Sequence, residues 1–391
     1  MINSESSGDA ILFLLKKATD EEWSKIEESL RIAKQNAERD LDKSLFEALD
    51  WPMNRWSYIQ YLRRFKKWIP QESGDPVWHD LDDNSQEVYD RLCHFYYLVN
   101  QETSKGVLAQ YLPWFSNYLV EYAKQWGSFL DTQESFNADI LQTFIRFAPK
   151  YRVQDSMVDG KPNAQWNSFN DFFARELNPG LRHIDSPNDN TIVTMPADCT
   201  FRQKFVIKND SSIPEITIKK THKVANIKEL LEGSQYANSF ANGTFVHYFL
   251  APSSYHRFHV PVSGIVKECR PVQGFTYFGV KLSKGQFDAP DDATDGYEFI
   301  QARGVITIDT TNSPEGNIGV VAVLPIGMCQ VSSVNMFNLS GKSIKKGDEF
   351  GYFTFGGSDI ILLFQEGKSP AIDECINYRH YGTSISKCPS S

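Results

Sequence analysis

No stretch of this chain stays apolar for the roughly 18 to 20 residues a helix needs to cross a bilayer. The longest candidates, such as Val320–Val323 with its neighbours, are of strand length, so no transmembrane segment is expected. A surplus of basic charge is also lacking, with 40 Lys and Arg against 49 Asp and Glu, a formal net charge of −9. Binding to a phosphate backbone draws its affinity from clustered Lys and Arg, so a general nucleic-acid binder is excluded. Cysteine is sparse: Cys93, Cys199, Cys269, Cys329, Cys375 and Cys388 are scattered with no C-x-x-C pair. That favours reduced, mostly buried thiols over a disulfide or zinc framework. Met1–Lys17 has neither a basic n-region nor a small-residue cleavage site around its apolar Ile11–Leu15 stretch. No signal peptide is read there, and a cytoplasmic location is expected. The sequons at Asn209, Asn242 and Asn338 are then chance matches.

Several familiar catalytic signatures are missing too. Gly341-Lys342-Ser343 would need a glycine five residues earlier to be a phosphate loop, and Met336 stands there. No G-x-G-x-x-G opens a helix, and neither G-x-S-x-G nor H-E-x-x-H occurs. The histidines have no spaced third and fourth partners, so no metal is expected.

What is present is a globular composition, 41% hydrophobic and 23% charged over 391 residues, enough for one large or two ordinary domains. From about Asp9 to Lys150 apolar residues recur at helical spacing, as in Trp23, Ile26, Leu30 and Ala33, in Val88, Leu92, Phe95 and Val99, and in Ile140, Phe144 and Phe147. The tryptophans there, Trp51, Trp56, Trp68, Trp78, Trp114 and Trp126, read as the core of stacked helices. After about Asn163 the texture turns to short Val, Ile, Thr and Phe runs between Gly, Pro, Asn and Asp clusters, such as Thr244–Ala251, Gly304–Asp309, Gly319–Val323 and Ile360–Phe364. Thr310–Asn317 reads as a hairpin loop between two of them. The expected fold class is α+β, with an all-helical domain over 1–160 and a β-rich catalytic domain over 161–391.

Two local patterns carry chemistry. Tyr255-His256-Arg257-Phe258-His259 follows a strand ending at Ala251 and a Pro252-Ser253-Ser254 turn. Phe355-Gly356-Gly357-Ser358-Asp359 precedes the buried run Ile360–Phe364. Glycine before serine lets the backbone adopt strained conformations, so the hydroxyl can approach the carbonyl that precedes it. With a base to take its proton, such a serine can turn the Gly357 peptide into an ester.

Four collinear motifs now extend these spots: Phe172-Phe173-Ala174-Arg175-Glu176-Leu177-Asn178-Pro179-Gly180, Met195-Pro196-Ala197-Asp198, Leu250 to Pro261, and Lys346-Gly347-Asp348-Glu349-Phe350-Gly351-Tyr352-Phe353 running into Gly357-Ser358. Through them the chain resembles the phosphatidylserine decarboxylase family of pyruvoyl-dependent enzymes, over roughly Trp166 to Gly367. The resemblance implies a proenzyme that cuts itself between Gly357 and Ser358. Ser358 would be the nucleophile and the source of the covalent pyruvoyl cofactor, His259 the processing base and Asp198 its orienting carboxylate. The small chain would hold 391 − 357 = 34 residues and stay associated with the large one. The pyruvoyl ketone would form a Schiff base with a substrate amine and act as electron sink while carbon dioxide leaves, with His256 as the acid of that step.

The pattern departs from common members beside the reacting groups. Cys199 stands where glycine is typical, Gln301-Ala302-Arg303 where Asn-Glu-Arg is common, and Gly356 and Asp359 where leucine and threonine are usual. The Gly356-Gly357-Ser358-Asp359 form, with the long helical region and the absence of an anchor, looks like the soluble branch that includes the fungal L-tryptophan decarboxylase. The expected substrate is a free amino acid, aromatic in type, with Phe275, Tyr277 and Phe278 as candidates for the pocket wall. Phosphatidylserine is the alternative, and Arg63, Arg64, Lys66 and Lys67 among Tyr61, Phe65 and Trp68 suit a peripheral membrane contact. An uncleaved, silent binding protein and a metal-dependent hydrolase are readings from other classes. Related enzymes also suggest self-association into a homo-oligomer.

Overall fold

The computed structural model describes residues 11, 18–104, 106, 108–289, 293–328 and 334–386. Cys329, Cys388 and the N-terminal apolar stretch apart from Ile11 lie outside them. The chain divides into two compact units. One comprises Met1–Pro149, Asn167–Phe169 and Phe275–Pro290, the other Lys150–Trp166, Asn170–Gly274 and Asp291–Ser391.

The first unit is built from amphipathic helices. Helix α1 (Asp20–Asp40) starts at a capping box in which the Glu22 amide donates to Thr19 Oγ1 at 3.2 Å and the Thr19 amide donates to Glu22 Oε2 at 2.7 Å. Its periodic residues Trp23, Ile26, Leu30 and Ala33 are all buried, as an apolar stripe facing a core requires. Helices α2 (Arg55–Phe65), α3 (Glu87–Tyr97), α4 (Pro113–Leu130) and α5 (Ala138–Phe147) follow. Their aromatics interlock: the Phe65 and Phe95 rings lie 4.9 Å apart, Trp68 stacks on Trp126, and the Trp126 Nε1–H donates to the Trp68 carbonyl at 2.9 Å. Trp56 departs from the expected core role, its side chain turning outward and 68% exposed. It sits at the start of α2 on the polar face, which helical phase rather than residue type decides.

The second unit is organised by an eight-stranded antiparallel sheet. Its strands are β1 (Cys199–Val206), β4 (Thr244–Leu250), β6 (Gly264–Val272), β7 (Arg303–Asp309), β8 (Val320–Met328), β10 (Ser343–Ile344), β12 (Gly357–Phe364) and β13 (Tyr378–Arg379), in the spatial order β10-β6-β7-β8-β12-β4-β1-β13. A three-stranded sheet joins β9 (Val334–Met336), β11 (Glu349–Phe353) and β5 (Arg257–His259), and β2 (Ser212–Ile218) pairs with β3 (Lys223–Asn226). Strand β8 and the Ile360–Phe364 part of β12 are apolar because both faces are covered. Alternation splits β12 between two cores: Ile360, Leu362 and Phe364 join one, Ile361 and Leu363 the other. Each buried Ile, Leu or Phe side chain contributes about 1.5–3 kcal/mol, so strand β12 is held firmly between the two cores. The expected runs Thr244–Ala251, Gly304–Asp309, Gly319–Val323 and Ile360–Phe364 appear here as strands, and Thr310–Asn317 is the loop between β7 and β8. Cys93, Cys199, Cys269 and Cys375 are unbridged.

Candidate active site

Ser358 is the second residue of β12, opposite Gly327 of β8 and Leu250 of β4, and it is fully buried. The chain enters β12 through Gly356 at φ 151°, a backbone region that suits glycine. Just upstream the Phe355 amide donates to Asn170 Oδ1 at 3.0 Å, which pins the approach to Gly357-Ser358.

His256 faces this serine. It leaves the turn closed by the Ser254 amide and the Ala251 carbonyl at 2.9 Å and leads into β5. Its Nε2 lies 3.2 Å from the Pro252 carbonyl, which can only accept, so Nε2 carries the proton. Nδ1 then presents its lone pair, and Ser358 Oγ stands 3.3 Å away as donor. Phe173 stacks on the ring with centroids 4.0 Å apart and Phe353 closes it edge-on. Burial pushes the His256 pKa down to about 3, Arg175 adds to the lowering, and the Pro252 and Ala251 carbonyls oppose it. The imidazole is therefore neutral over the physiological range and shaped to accept a proton.

His259 is held elsewhere. Its Nδ1–H donates to the Gly347 carbonyl at 2.9 Å, and Nε2 accepts from the Tyr255 hydroxyl at 3.3 Å. Tyr381 lies flat on its ring, centroids 3.7 Å apart and planes 2° from parallel. Burial again dominates and lowers its pKa to about 4. Gly347 makes this possible with φ at 89°, where an added Cβ would come within 2.7 Å of Ile184.

Asp198 is almost fully buried and fully engaged: it accepts from Arg182 Nε and Nη2 and from the Tyr381 amide at 2.8 Å. The structure thus departs from the expected series Ser358, His259, Asp198. It brings Ser358 to His256, and it brings Asp198 to His259 only through Tyr381. Among the described residues no hydrogen bond joins His259 to Ser358 or to Asp198. The physical reason is competition: the Gly347 carbonyl and the Arg182 guanidinium are the nearer partners. Arg257 braces the site, donating to the Ala174 carbonyl at 2.7 Å and to Glu349 Oε1 at 2.6 Å, which ties β5 to β11 and to the Phe172–Glu176 motif.

The aromatic candidates belong to the helical unit. Tyr277 stacks on Tyr111, Phe278 meets Tyr96 edge-on, and the Phe278 carbonyl accepts from Gln110 Nε2 at 3.0 Å, while Phe275 is half-buried. Packing within that unit therefore occupies the rings of Tyr277 and Phe278. Also in that unit, Arg63, Arg64, Lys66 and Lys67 border a cavity of about 760 Å³ with Ile11, Gln60 and Phe129. Arg64 pairs there with Asp50 and Lys66 donates to Gln125. The sequence motifs contain Tyr255 and Phe173 without marking a role for either, and they leave out Arg182 and Tyr381. Arg182 lies two residues beyond the Asn178-Pro179-Gly180 motif and could have been weighed, whereas nothing in the local pattern marks Tyr381. No group of three or more His, Cys, Asp or Glu is placed to hold a metal among the described residues.

A covalent group made from the chain itself fits this arrangement. The hydroxyl that would be consumed faces a neutral imidazole nitrogen, and its peptide follows a glycine in a permissive conformation.

Comparison with known proteins agrees with the geometry. The sequence pattern named phosphatidylserine decarboxylase matches residues 169–380. The chain is 33% identical over 230 residues to a phosphatidylserine decarboxylase proenzyme of Chlamydia trachomatis, covering 58% of this chain and 69% of that one. It is 32% identical over 227 residues to phosphatidylserine decarboxylase proenzyme 2 of rice, covering 56% of this chain but only 33% of the rice protein. It is also similar to decarboxylase iboD of Amanita muscaria, 27% identical over 298 residues, 69% of this chain and 82% of that one.

Proposed function

Since the chain belongs to the phosphatidylserine decarboxylase family, we propose that it cuts its own backbone between Gly357 and Ser358 and then decarboxylates an amine-bearing substrate. The observation that carries this is the hydrogen bond from Ser358 Oγ to His256 Nδ1, with the opposite nitrogen anchored on the Pro252 carbonyl. His256 takes the hydroxyl proton and the oxygen attacks the Gly357 carbonyl carbon. The peptide C–N bond breaks as an ester C–O bond forms, and the imidazole returns its proton to the freed amine nitrogen. Loss of the α-proton of residue 358 then expels a chain ending in the Gly357 carboxylate, and hydrolysis of the remaining dehydroalanine leaves a pyruvoyl group and releases its nitrogen as ammonia. That group supplies an electron sink for loss of carbon dioxide. Around it, Phe173 and Phe353 exclude water, and the Arg182, Asp198 and Tyr381 set fixes the face of His259. His259, which the resemblance points to as processing base, would reach Ser358 only by leaving Gly347 and Tyr255. Separate His256→Gln and His259→Gln precursors distinguish the two.

For the substrate, a free amino acid of aromatic type is the first reading. The similarity to decarboxylase iboD runs over 298 residues, beyond the 212 of the family match, and so takes in helical sequence as well. The four basic side chains around the helical-unit cavity favour the second reading, a phosphatidylserine headgroup. Denaturing electrophoresis tests the self-cleavage: wild-type protein should give two chains and Ser358→Ala one. Carbon dioxide release from tryptophan, tyrosine, phenylalanine and dispersed phosphatidylserine tests the substrate, and turnover of the lipid alone overturns the first reading.

A further inference from the structure

The scission strand has a second polar face. Asp359 follows Ser358 and therefore points to the opposite side of the sheet, with Ile361 and Leu363. His247 of β4, whose register partner is Ile361, lies diagonally across from it. Its Nε2 stands 3.3 Å from Asp359 Oδ1, and its Nδ1 stands 3.9 Å from Glu298 Oε1. The three side chains are 0% exposed, and Tyr297 meets the imidazole edge-on. Apart from the His247 contacts and the approach of the Glu298 amide to its own carboxyl, no described residue donates a hydrogen bond to either carboxylate. Buried carboxylates without donors are rare because water would solvate them better, and they concentrate at sites that handle protons or charge.

We propose that Glu298, His247 and Asp359 form a proton relay that ends one residue from position 358 and supplies the proton to the substrate carbon from which carbon dioxide departs. The relay rests on the pyruvoyl reading above. An imidazole between two carboxyl groups passes a proton by accepting at one nitrogen while donating at the other. The groups facing Glu298 are His247 of β4, Asp359 of β12 and Asp295 of the preceding turn, and the Cys199 thiol of β1, packed in the opposite core, lies within the electrostatic reach of Asp359. Burial first, then the charges of Asp359 and Asp295, push Glu298 up to about 8, with His247 opposing. Glu298 thus holds a proton at neutral pH, whereas His256 on the other face does not. Such separation divides acid from base across the two faces of strand β12. The step balances. The bond between the α-carbon and the carboxyl group breaks, its electron pair stays on the α-carbon, and that pair takes a proton that His247 Nε2–H passes on through the Asp359 carboxylate. Glu298 delivers its own proton to Nδ1 and water restores Glu298, so one proton is consumed for each carbon dioxide released.

The test uses mature Glu298→Gln and Asp359→Asn proteins and reads the intact mass of the small chain before and after turnover. A starved α-carbon leaves the pair to be protonated on the carbon of residue 358 instead. The substrate nitrogen then stays on the chain, residue 358 becomes alanine, and the substrate leaves as an aldehyde. Both variants should still be cut, should lose about a hundredfold in carbon dioxide release, and should accumulate alanine-terminated small chain. In wild type the rate should fall above pH about 8, and Glu298→Gln should lack that fall. Variants that are cut and turn over without the alanine product overturn the relay alone. A wild type that is never cut overturns the pyruvoyl reading and the relay with it. Should the variants not fold, infrared spectra of the uncut Ser358→Ala protein decide: a protonated carboxyl band at neutral pH is expected, and its absence overturns the relay.

Discussion

Self-cleavage should be almost indifferent to acid down to about pH 5. An ordinary histidine titrates near 6.5, so at pH 5 only about 3% of it would be neutral and a reaction needing it as base would slow about thirtyfold. Burial holds His256 at about 3 and His259 at about 4, which keeps about nine-tenths or more of either imidazole neutral at pH 5. Precursor made by cell-free synthesis at controlled pH, with the small chain followed on denaturing gels, gives the rate directly. Circular dichroism at each pH separates slow chemistry from unfolding. The expected profile is flat from about pH 7.5 to 5, at a low absolute rate because so weak a base draws the proton feebly. His256→Gln should cut about 10² to 10⁴ times more slowly. A rate that halves near pH 6.5 in folded protein would refute the argument from burial. Normal cutting by His256→Gln, with none by His259→Gln, would transfer the role to His259.

Acid should instead threaten the fold. His94 and His256 are lowered to about 3 and His259 to about 4 by burial, so the folded state refuses protons that the unfolded chain takes up near 6.5. Their contribution is present above 6.5 and is lost as pH falls toward the folded values, up to about 2 kcal/mol each by pH 5; urea midpoints of Ser358→Ala protein across that range measure it. Asp198→Asn removes the charge facing buried Arg182 and should cost about 3–5 kcal/mol, seen as a lowered Tm in the same background. Gly347→Ala places a Cβ 2.7 Å from Ile184 at φ 89° and should cost about 1–3 kcal/mol. It should also loosen the carbonyl that holds His259, which imidazole NMR shifts would report.

Helical spacing made α1 legible because Trp23, Ile26, Leu30 and Ala33 must face one core, and the apolar runs of β8 and β12 were legible because a strand covered on both sides has no polar alternation. The motifs single out Ser358 and the two histidines, and the structure places one of these histidines, His256, beside the serine. Which histidine meets the serine was not legible. His256 and His259 are three residues apart, and the groups that hold His259 away from the serine, Gly347 and Tyr381, come from more than 85 residues away. The relay was hidden for the same reason: His247 and Glu298 are ordinary residues until antiparallel register and a short 3-10 turn bring them together. Trp56 shows the converse limit, since an aromatic in a helical stretch says nothing by itself about which side it faces.

Strand β12 lies between β8 and β4, while β13, from the same downstream piece, zips against β1. Once the backbone is severed ahead of Ser358, that piece remains clasped on both flanks without a covalent tie. Unfolding would then free a fragment whose return is a bimolecular encounter, dependent on concentration and competing with aggregation. Maturation would work as a ratchet: the precursor can be melted and recovered, whereas the finished enzyme carries no instructions in one chain for rebuilding itself.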